Sequence, residues 1–530
     1  MFPGGLKKYQ GHPMRIIDFF DQGASQYRDN AAFIDSASQY SYREAEKESH
    51  FIASAIRGRG YSKGSKVGVL APNCNLAFLA LLGLFRSEAC WLPINPRNAL
   101  EANIELLDTF GGELLFYHSN YEAEAVAIKG KVVGIKEIVC LDSCDGDGEL
   151  LGSWTQDYRT TFQMGEENPE DMVALFPTGG TTGKPKGVMI AHKNLETMFA
   201  NYWAHFNYHD NSRHLVVAPM THTAGVLGCA HFARGGTNYM MASVDPEGIL
   251  KAVQEYCITH FFLPPTVLYM MLAVPGVRDY DYSSLQHIFI GAAPSSLEKI
   301  KEAIGVFGPV MSEAFGQTEA PASITAKAPW DYMNSDGSIN EARLHSIGRP
   351  CVFNQVAILN DQGEEVARGE PGEICVRGNL VTPGYYQNPE ATAEVREFGW
   401  HHTGDIGVMS KDGYIAIVDR KKDMIISGGF NVFPNEVEQV LTGHLAVQDC
   451  AVIGVPYAKW GESDKAVIQL KPGAEVEEQF LIQIAKDKLG GVKAPKSIDF
   501  VVDLPRSAAG KVLKTELRKR YWEGQPRAIN

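Results

Sequence analysis

The sequence predicts an α/β fold in more than one domain: a large N-terminal part rich in βαβ units, a smaller antiparallel region and a small α+β tail. Three observations carry this. The chain has 530 residues, several times the usual span of one domain. Over much of its length, short β-branched runs alternate with helix-length apolar segments, the pattern of parallel strands joined by crossover helices. From about residue 351 the runs are short and joined by Gly turns, which points to antiparallel pairing.

The elements follow in order. "KVGVLAP" (66–72) reads as a buried strand, "NLAFLALLGLFRSEA" (75–89) as a helix and "CWLPINP" (90–96) as the next strand. The same rhythm returns at "HLVVAP" (214–219), "THFFLPP" (259–265) and "HIFIGAA" (287–293). "QVAILNDQGEEV" (355–366), "GEICVRG" (372–378) and "GYIAIVDRK" (413–421) are the short strands of the second texture. After "VDRKKD" (418–423) a compact tail begins. There "FPNEVEQVLTGH" (433–444) predicts a helix with Pro434 in its first turn and Gly443 past its end. "CAVIGVP" (450–456) and "KAVIQL" (465–470) predict strands, and "EEQFLIQIAKDKLG" (477–490) a further helix. A domain boundary is expected near Arg420.

Composition narrows the function. Lys and Arg number 49 against 63 Asp and Glu, a net charge of −14. No basic surplus is available to neutralise phosphates, so nucleic acid is not an expected partner. The nine cysteines are dispersed, with only Cys140 and Cys144 close together, which reads as reduced thiols. The start, "MFPGGLKKYQGH", holds no apolar signal core, no apolar run is long enough for a membrane span, and the end, "RAIN", is not a peroxisomal address. A cytoplasmic location is expected. No feature indicates a homo-oligomer.

The chemistry concentrates in "ALFPTGGTTGKPKGVMI" (174–190), where four glycines, three threonines and two lysines lie between two apolar runs. The common phosphate loop of nucleotide hydrolases runs from a strand into a helix and places Ser or Thr after its lysine. Here Pro185 follows Lys184. Proline lacks the N–H and pushes the preceding residue towards extended backbone, so the loop is expected to join strand to strand. It remains suited to an anion. Gly179, Gly180 and Gly183 let backbone N–H groups approach, Thr178, Thr181 and Thr182 add hydroxyls, and Lys184 and Lys186 add charge. A mobile surface loop would explain the glycines alone, not the hydroxyls and lysines with them.

At this loop the chain resembles the acyl-adenylate-forming superfamily of acyl-CoA synthetases, peptide-synthetase adenylation domains and beetle luciferases, whose loop reads roughly [ST]SGTTGxPKG. Gly179 stands where Ser is usual. Further segments resemble the family's motifs in the family's order: "PMTHTAG" (219–225), "GAAP" (291–294), "EAFGQTE" (313–319), "WHHTGD" (400–405), "DRKKDMIISGGFNVFPNEVE" (419–438) and "PRSAAGKVLKTELR" (505–518). Thr221 replaces a common aromatic and Phe315 a Tyr. The resemblance implies an adenylation domain over 1–420, including a β-barrel-like region, followed by a small mobile domain over 421–530.

A carboxylate is a poor electrophile and repels the phosphate it must attack. Adenylation gives it AMP as a leaving group, and fixed positive groups must neutralise the charge that moves to pyrophosphate. The resemblance assigns the parts. The Gly-rich loop holds the β and γ phosphates of ATP. Glu319, with Thr181, holds Mg²⁺, which prefers oxygen ligands. Thr318 touches the α phosphate, and Lys511 bridges acid and α phosphate. Phe315 offers its face to the adenine, Gly291 and Ala292 leave room for the ring, and Ala293, Pro294, Glu313, Ala314 and Gly316 belong with the ATP- and AMP-binding residues. Asp405 accepts both ribose hydroxyls, and the fork of Arg420 braces those hydroxyls. His222 gates the ATP and acyl sites, and Thr223, Ala224, Gly225, Gly291 and Ala314 join it at the acyl pocket. Lys422 is the hinge. After a turn about it, Ser427, Gly428 and Gly429 line the path of coenzyme A.

The expected reaction is an ATP-dependent, AMP-forming ligation of an acid to the thiol of CoA. The pocket segments are small and apolar, so the acid is expected to be a hydrophobic monocarboxylic acid. A diacid would call for Arg or Lys there, and an amino acid for Asp. An amine or carrier-protein thiol as acceptor, or a silent nucleotide-binding protein, are the alternatives. Two patterns are set aside. "HFNYHD" (205–210) is a two-residue acyltransferase match. His401 and His402 are adjacent on a strand and point to opposite faces, so they read as scaffold for Asp405.

Overall fold

The computed structural model describes residues 14–143, 146, 148–166, 168–178, 185–221, 223–291, 295–427, 430–457, 461–506 and 512–522. The chain forms two compact units. The first comprises Met1–Gln355 and Val376–Val395, the second Val356–Cys375 and Arg396–Asn530. The expected boundary at Arg420 falls inside the second unit.

The first unit is built on two large sheets. In one, strands Ala31–Ile34, Thr237–Met240, Arg213–Val216, His260–Leu263, His287–Ile290 and Met311–Gln317 run parallel in that order, with antiparallel strands at both edges. In the other, Lys66–Leu70 lies between the parallel strands Cys90–Pro93 and Gly112–Tyr117. Helix Asn75–Arg86 makes the crossover between the first two of these and is almost wholly buried. The expected βαβ units are therefore present. The strands end at Leu70, Pro93 and Val216, short of the full runs read from the sequence. Strands covered on both faces read as continuous apolar runs, which is why they were visible in the sequence.

In the second unit, strand Trp400–Met409 pairs antiparallel with Arg396–Glu397 and with Ile415–Arg420. Strands Gln355–Leu359 and Pro371–Arg377 complete that sheet. A separate three-stranded sheet is formed by Val447–Tyr457, Gly461–Leu470 and Ser497–Val501. Helix Pro434–Thr442 has Pro434 at its start, as expected, and Gly443 ends it in ordinary right-handed backbone. The next helix spans Glu478–Lys493 and is broken at Gly490, whose φ of 81° leaves the helical region. Ile425, Val437, Leu441, Val452, Ile468 and Leu481 form the core there. Among the described residues, no helix is long and apolar enough to cross a membrane.

Candidate active site

The strands on either side of the Gly-rich segment are arranged as Pro185 requires. Strand Met172–Thr178 pairs antiparallel with Lys186–Ala191, and the register closes with Thr178 opposite Lys186. The Thr178 hydroxyl donates to the Lys186 carbonyl at 3.3 Å. The segment thus connects two paired strands, not a strand and a helix. Gly179, Gly180, Thr181, Thr182, Gly183 and Lys184 themselves lie outside the described residues.

Glu319 is placed by a second hairpin. Strands Met311–Gln317 and Ala320–Lys327 are antiparallel, and Gln317 faces Ala320. Thr318 and Glu319 form the two-residue turn between them. Gly316 is needed just before it: a Cβ there would lie 2.3 Å from the Ala322 nitrogen. The turn is tied down from a distant segment. The Tyr385 hydroxyl donates to Glu319 Oε1 at 2.6 Å, and the Thr382 N–H donates to the Glu319 carbonyl at 2.9 Å. Burial, and then the bond to Glu319, push the Tyr385 phenol up from its ordinary value, so it stays a neutral donor. Lys186 Nζ stands 5.2 Å from the centroid of the same ring, a cation–π contact. One phenol therefore links the exit of the Gly-rich segment to Glu319. Glu319 Oε2 accepts no hydrogen bond from the described residues, which leaves a fixed, hard oxygen of the kind Mg²⁺ takes.

Other expected residues of this unit gather on the neighbouring strand ends. Ile290 is in register with Glu313, and a Cβ on Gly291 would come within 3.6 Å of the Ala314 carbonyl oxygen. Gly291, Glu313, Ala314 and Phe315 therefore form one rim, with Phe315 half-buried. The Glu313 carboxylate is itself engaged. It pairs at 2.8 Å with Lys327, which is 1% exposed, and accepts from Tyr332 at 3.2 Å. Thr223 opens helix Thr223–Phe232, in which Ala224 is buried. Gly225 permits a close approach, because a Cβ there would lie 2.0 Å from the Met220 carbonyl oxygen. His222, Ala292, Ala293 and Pro294 lie outside the described residues.

In the second unit the structure joins two residues that the sequence held fifteen positions apart. Asp405 and Arg420 are direct cross-strand partners, and Arg420 Nε meets Asp405 Oδ1 at 2.6 Å. Asp405 is buried and Arg420 partly exposed. A buried carboxylate braced by a planar guanidinium keeps its charge and its orientation. Lys422 lies in the short 3-10 turn Lys421–Asp423 that follows, and its carbonyl accepts from Arg518 at 3.3 Å. Ser427 ends strand Ile425–Ser427. Gly428, Gly429 and Lys511 lie outside the described residues.

Tyr385 and Lys327 were missed by the sequence reading. "GYYQNP" (384–389) carries no chemistry of its own, and only the pairing of Gly384–Tyr385 with the strand Lys186–Ala191 brings the phenol to Glu319.

Known proteins share this chain's family and fold. Residues 20–386 match the model of the AMP-binding enzyme family, and residues 436–511 that of the AMP-binding enzyme C-terminal domain. The chain is 35% identical over 500 residues to a medium/long-chain-fatty-acid–CoA ligase of Mycobacterium tuberculosis, covering 92% of this chain and 86% of that protein. It is 34% identical over 483 residues to a feruloyl-CoA synthase of an Amycolatopsis species, covering 91% and 94%. Among solved structures it resembles the amide bond synthetase of Marinactinospora thermotolerans, with a TM-score of 0.86, 26% identity, and coverage of 96% and 100%.

Proposed function

Because the chain belongs to the AMP-binding enzyme family and is an AMP-forming acid–CoA ligase, we propose that its acid is a hydrophobic monocarboxylic acid, aliphatic or aromatic, and that Mg²⁺ serves its ATP through Glu319. The single observation that carries the site reading is the hairpin closed by Thr178 and Lys186. It supports reading the Gly-rich segment as a strand-to-strand phosphate loop, unlike the strand-to-helix loop of ATP hydrolases. The named relatives act on fatty acids and on ferulate, and the small apolar residues Ala224, Gly225 and Ala314 suit either. A cytoplasmic location is part of the proposal.

The residues divide the work as follows. The loop from Thr178 to Lys186 holds the departing phosphates. Bound at Glu319, the divalent ion would supply charge neutralisation on those phosphates. Tyr385 keeps Glu319 aimed while leaving its charge undiminished. Asp405, braced by Arg420, takes the ribose hydroxyls. Lys511 stands between the acid and the α phosphate in the first half-reaction: the acid oxygen attacks phosphorus and pyrophosphate leaves. In the second, the CoA sulfur attacks the acyl carbon and AMP leaves, with the thiol proton passing to solvent. Lys422 is the hinge about which residues beyond it turn between the two steps, carrying Lys511 away and Ser427 to Gly429 in.

The experiment is a panel of acids scored by pyrophosphate release, then by thioester with CoA or hydroxamate with hydroxylamine. Medium- to long-chain or aromatic monocarboxylic acids should lead, with thioester as product. Preference for an amine over CoA would instead place the chain with the amide bond synthetases. In the same assay Lys511→Ala should lose acid-dependent pyrophosphate release by on the order of 10²-fold. Given synthetic acyl-AMP and CoA, it should still form thioester at a rate near the parent's. Loss of both steps in a folded variant would contradict the turn about Lys422.

A further inference from the structure

His402, set aside above as scaffold, has a different environment from its neighbour His401. On strand Trp400–Met409 its Nδ1 lies 3.0 Å from Glu373 Oε2 and 3.4 Å from Cys375 Sγ. Glu373 and Cys375 are two apart on strand Pro371–Arg377, so they share one face. One ligand-capable atom from each of the three lies within 4.8 Å of the others, and no other group of three or more His, Cys, Asp or Glu among the described residues does this. Cys375 is fully buried and Glu373 nearly so.

The hydrogen bonding around the cluster is that of a ligand set. His402 Nε2 lies 3.3 Å from the Glu397 carbonyl, which can only accept, so Nε2 carries the ring proton. Nδ1 then presents its lone pair to a carboxylate oxygen and a sulfur. Two acceptors 3.0 Å apart repel unless a second proton, or a metal cation, lies between them. An imidazole whose far nitrogen is anchored on a backbone carbonyl is the usual orientation of a metal-ligating histidine. Glu373 is held in the same sense, since its Oε1 accepts the Gly404 N–H at 2.9 Å and Oε2 is left facing the cluster. A tetrahedral ion with metal–ligand bonds of about 2.0–2.3 Å separates its ligands by about 3.3–3.6 Å. The spacings here, 3.0 and 3.4 Å, need only a small expansion.

We infer that Glu373, Cys375 and His402 form a binding site for a thiophilic divalent cation of the zinc class, distinct from the Mg²⁺ site proposed at Glu319. Nitrogen, sulfur and a single carboxylate select zinc or cobalt over magnesium or calcium. On binding, the cation replaces the proton between His402 Nδ1 and Glu373 and that of the Cys375 thiol, both of which pass to solvent, and water completes the fourth corner. The site has a built-in competitor. Lys421 Nζ lies 3.2 Å from Glu373 Oε2 and 2.9 Å from Asp361 Oδ1. The cation must displace this ammonium, and Asp361 gives the lysine a second carboxylate to keep.

The test uses the full chain, nucleotide-free, titrated with Co²⁺ under reducing, oxygen-free conditions. The site predicts a sulfur-to-cobalt charge-transfer band in the near ultraviolet, bleached by Zn²⁺ and unaffected by excess Mg²⁺. Cys375→Ser should abolish the band, and His402→Gln should weaken binding by about tenfold or more. Lys421→Met removes only the competitor from a side chain that is 46% exposed, so it should fold and bind several-fold more tightly. No band in the parent, a band that survives Cys375→Ser, or no tightening in Lys421→Met would each overturn the site. The Lys421→Met arm decides the matter if Cys375→Ser does not fold. Because no nucleotide is present, failure here leaves the ligase reading intact.

Discussion

Two carboxylates, one in each unit, are held in opposite ways. Glu319 is fixed by a neutral phenol, Tyr385, which orients the carboxylate without neutralising it. Glu373 is surrounded by His402, Lys421 and the Gly404 N–H. Burial alone would raise its pKa, but these partners outweigh burial and hold the carboxyl below its ordinary value. The difference teaches what each can do. A carboxylate whose partner is neutral keeps its charge for a ligand. One already matched by cations spends its charge on the fold, unless an ion replaces them.

The largest expected effect separates the two. Glu319→Gln keeps the shape and removes the charge, so acid-dependent pyrophosphate release should fall by roughly 10²–10³, with little change in thermal unfolding. Glu373→Gln should show first as lost stability, about 2 kcal/mol by urea denaturation at neutral pH, because charged partners lose their counter-ion. With the folded value depressed, that stabilisation is present above the unfolded carboxylate value and is lost as pH falls through the folded one. The Gln variant should therefore differ least from the parent in acid. Equal loss of activity at both positions, with stability unchanged, would erase the distinction.

A smaller effect tests the phenol. Tyr385→Phe keeps the ring beneath Lys186 and removes the bond to Glu319. Adenylation should drop about tenfold, the scale of one hydrogen bond to a charged group, and direct titration of Mg²⁺–ATP by calorimetry should show weaker binding. Unchanged binding would mean that the turn at Thr318 and Glu319 holds the carboxylate unaided.

The histidines repeat the contrast with the opposite outcome. His214, His260 and His287 are cross-strand neighbours in the large parallel sheet, and His231 stacks on His214. They bond Asn238, Thr259, Ser312 and Ser212, with Tyr208 packed against His231 and His260. These bonding partners are uncharged. Burial pushes His214 and His287 down to about 4, and burial with mutual repulsion pushes His231 and His260 further. Their folded values lie below the unfolded value, so the unfolded chain binds more protons as pH drops below about 6.5. Stability of the first unit should fall from there towards pH 4, by up to roughly 1.4 kcal/mol per pH unit for each histidine. Denaturant midpoints between pH 7 and 5 measure this. His260→Asn should flatten the slope, by the smallest change of the set.

What the sequence made legible was local. Pro185 alone decided that the Gly-rich segment joins two strands, and the parallel units were visible because their strands are apolar on both faces. Strand alternation also separated His401 from His402: His401 is buried and pushed down to about 4 mainly by burial, while His402 meets Glu373. What stayed hidden depends on register between distant strands. Tyr385 reaches Glu319 across 66 positions. The histidine row exists only because residues 214, 260 and 287 fall level in adjacent parallel strands. Asp405 and Arg420 were each assigned to the nucleotide through separate motifs, but their direct pairing follows from the hairpin register. No periodicity or spacing rule contains those matches.

The central claim is tested most directly by following the nucleotide while the acid is consumed. With ATP, Mg²⁺, CoA and a preferred acid from the panel, the account predicts one AMP and one pyrophosphate for each thioester formed, and acyl-AMP accumulating when CoA is withheld. ADP and inorganic phosphate as products, or thioester without AMP, would contradict it.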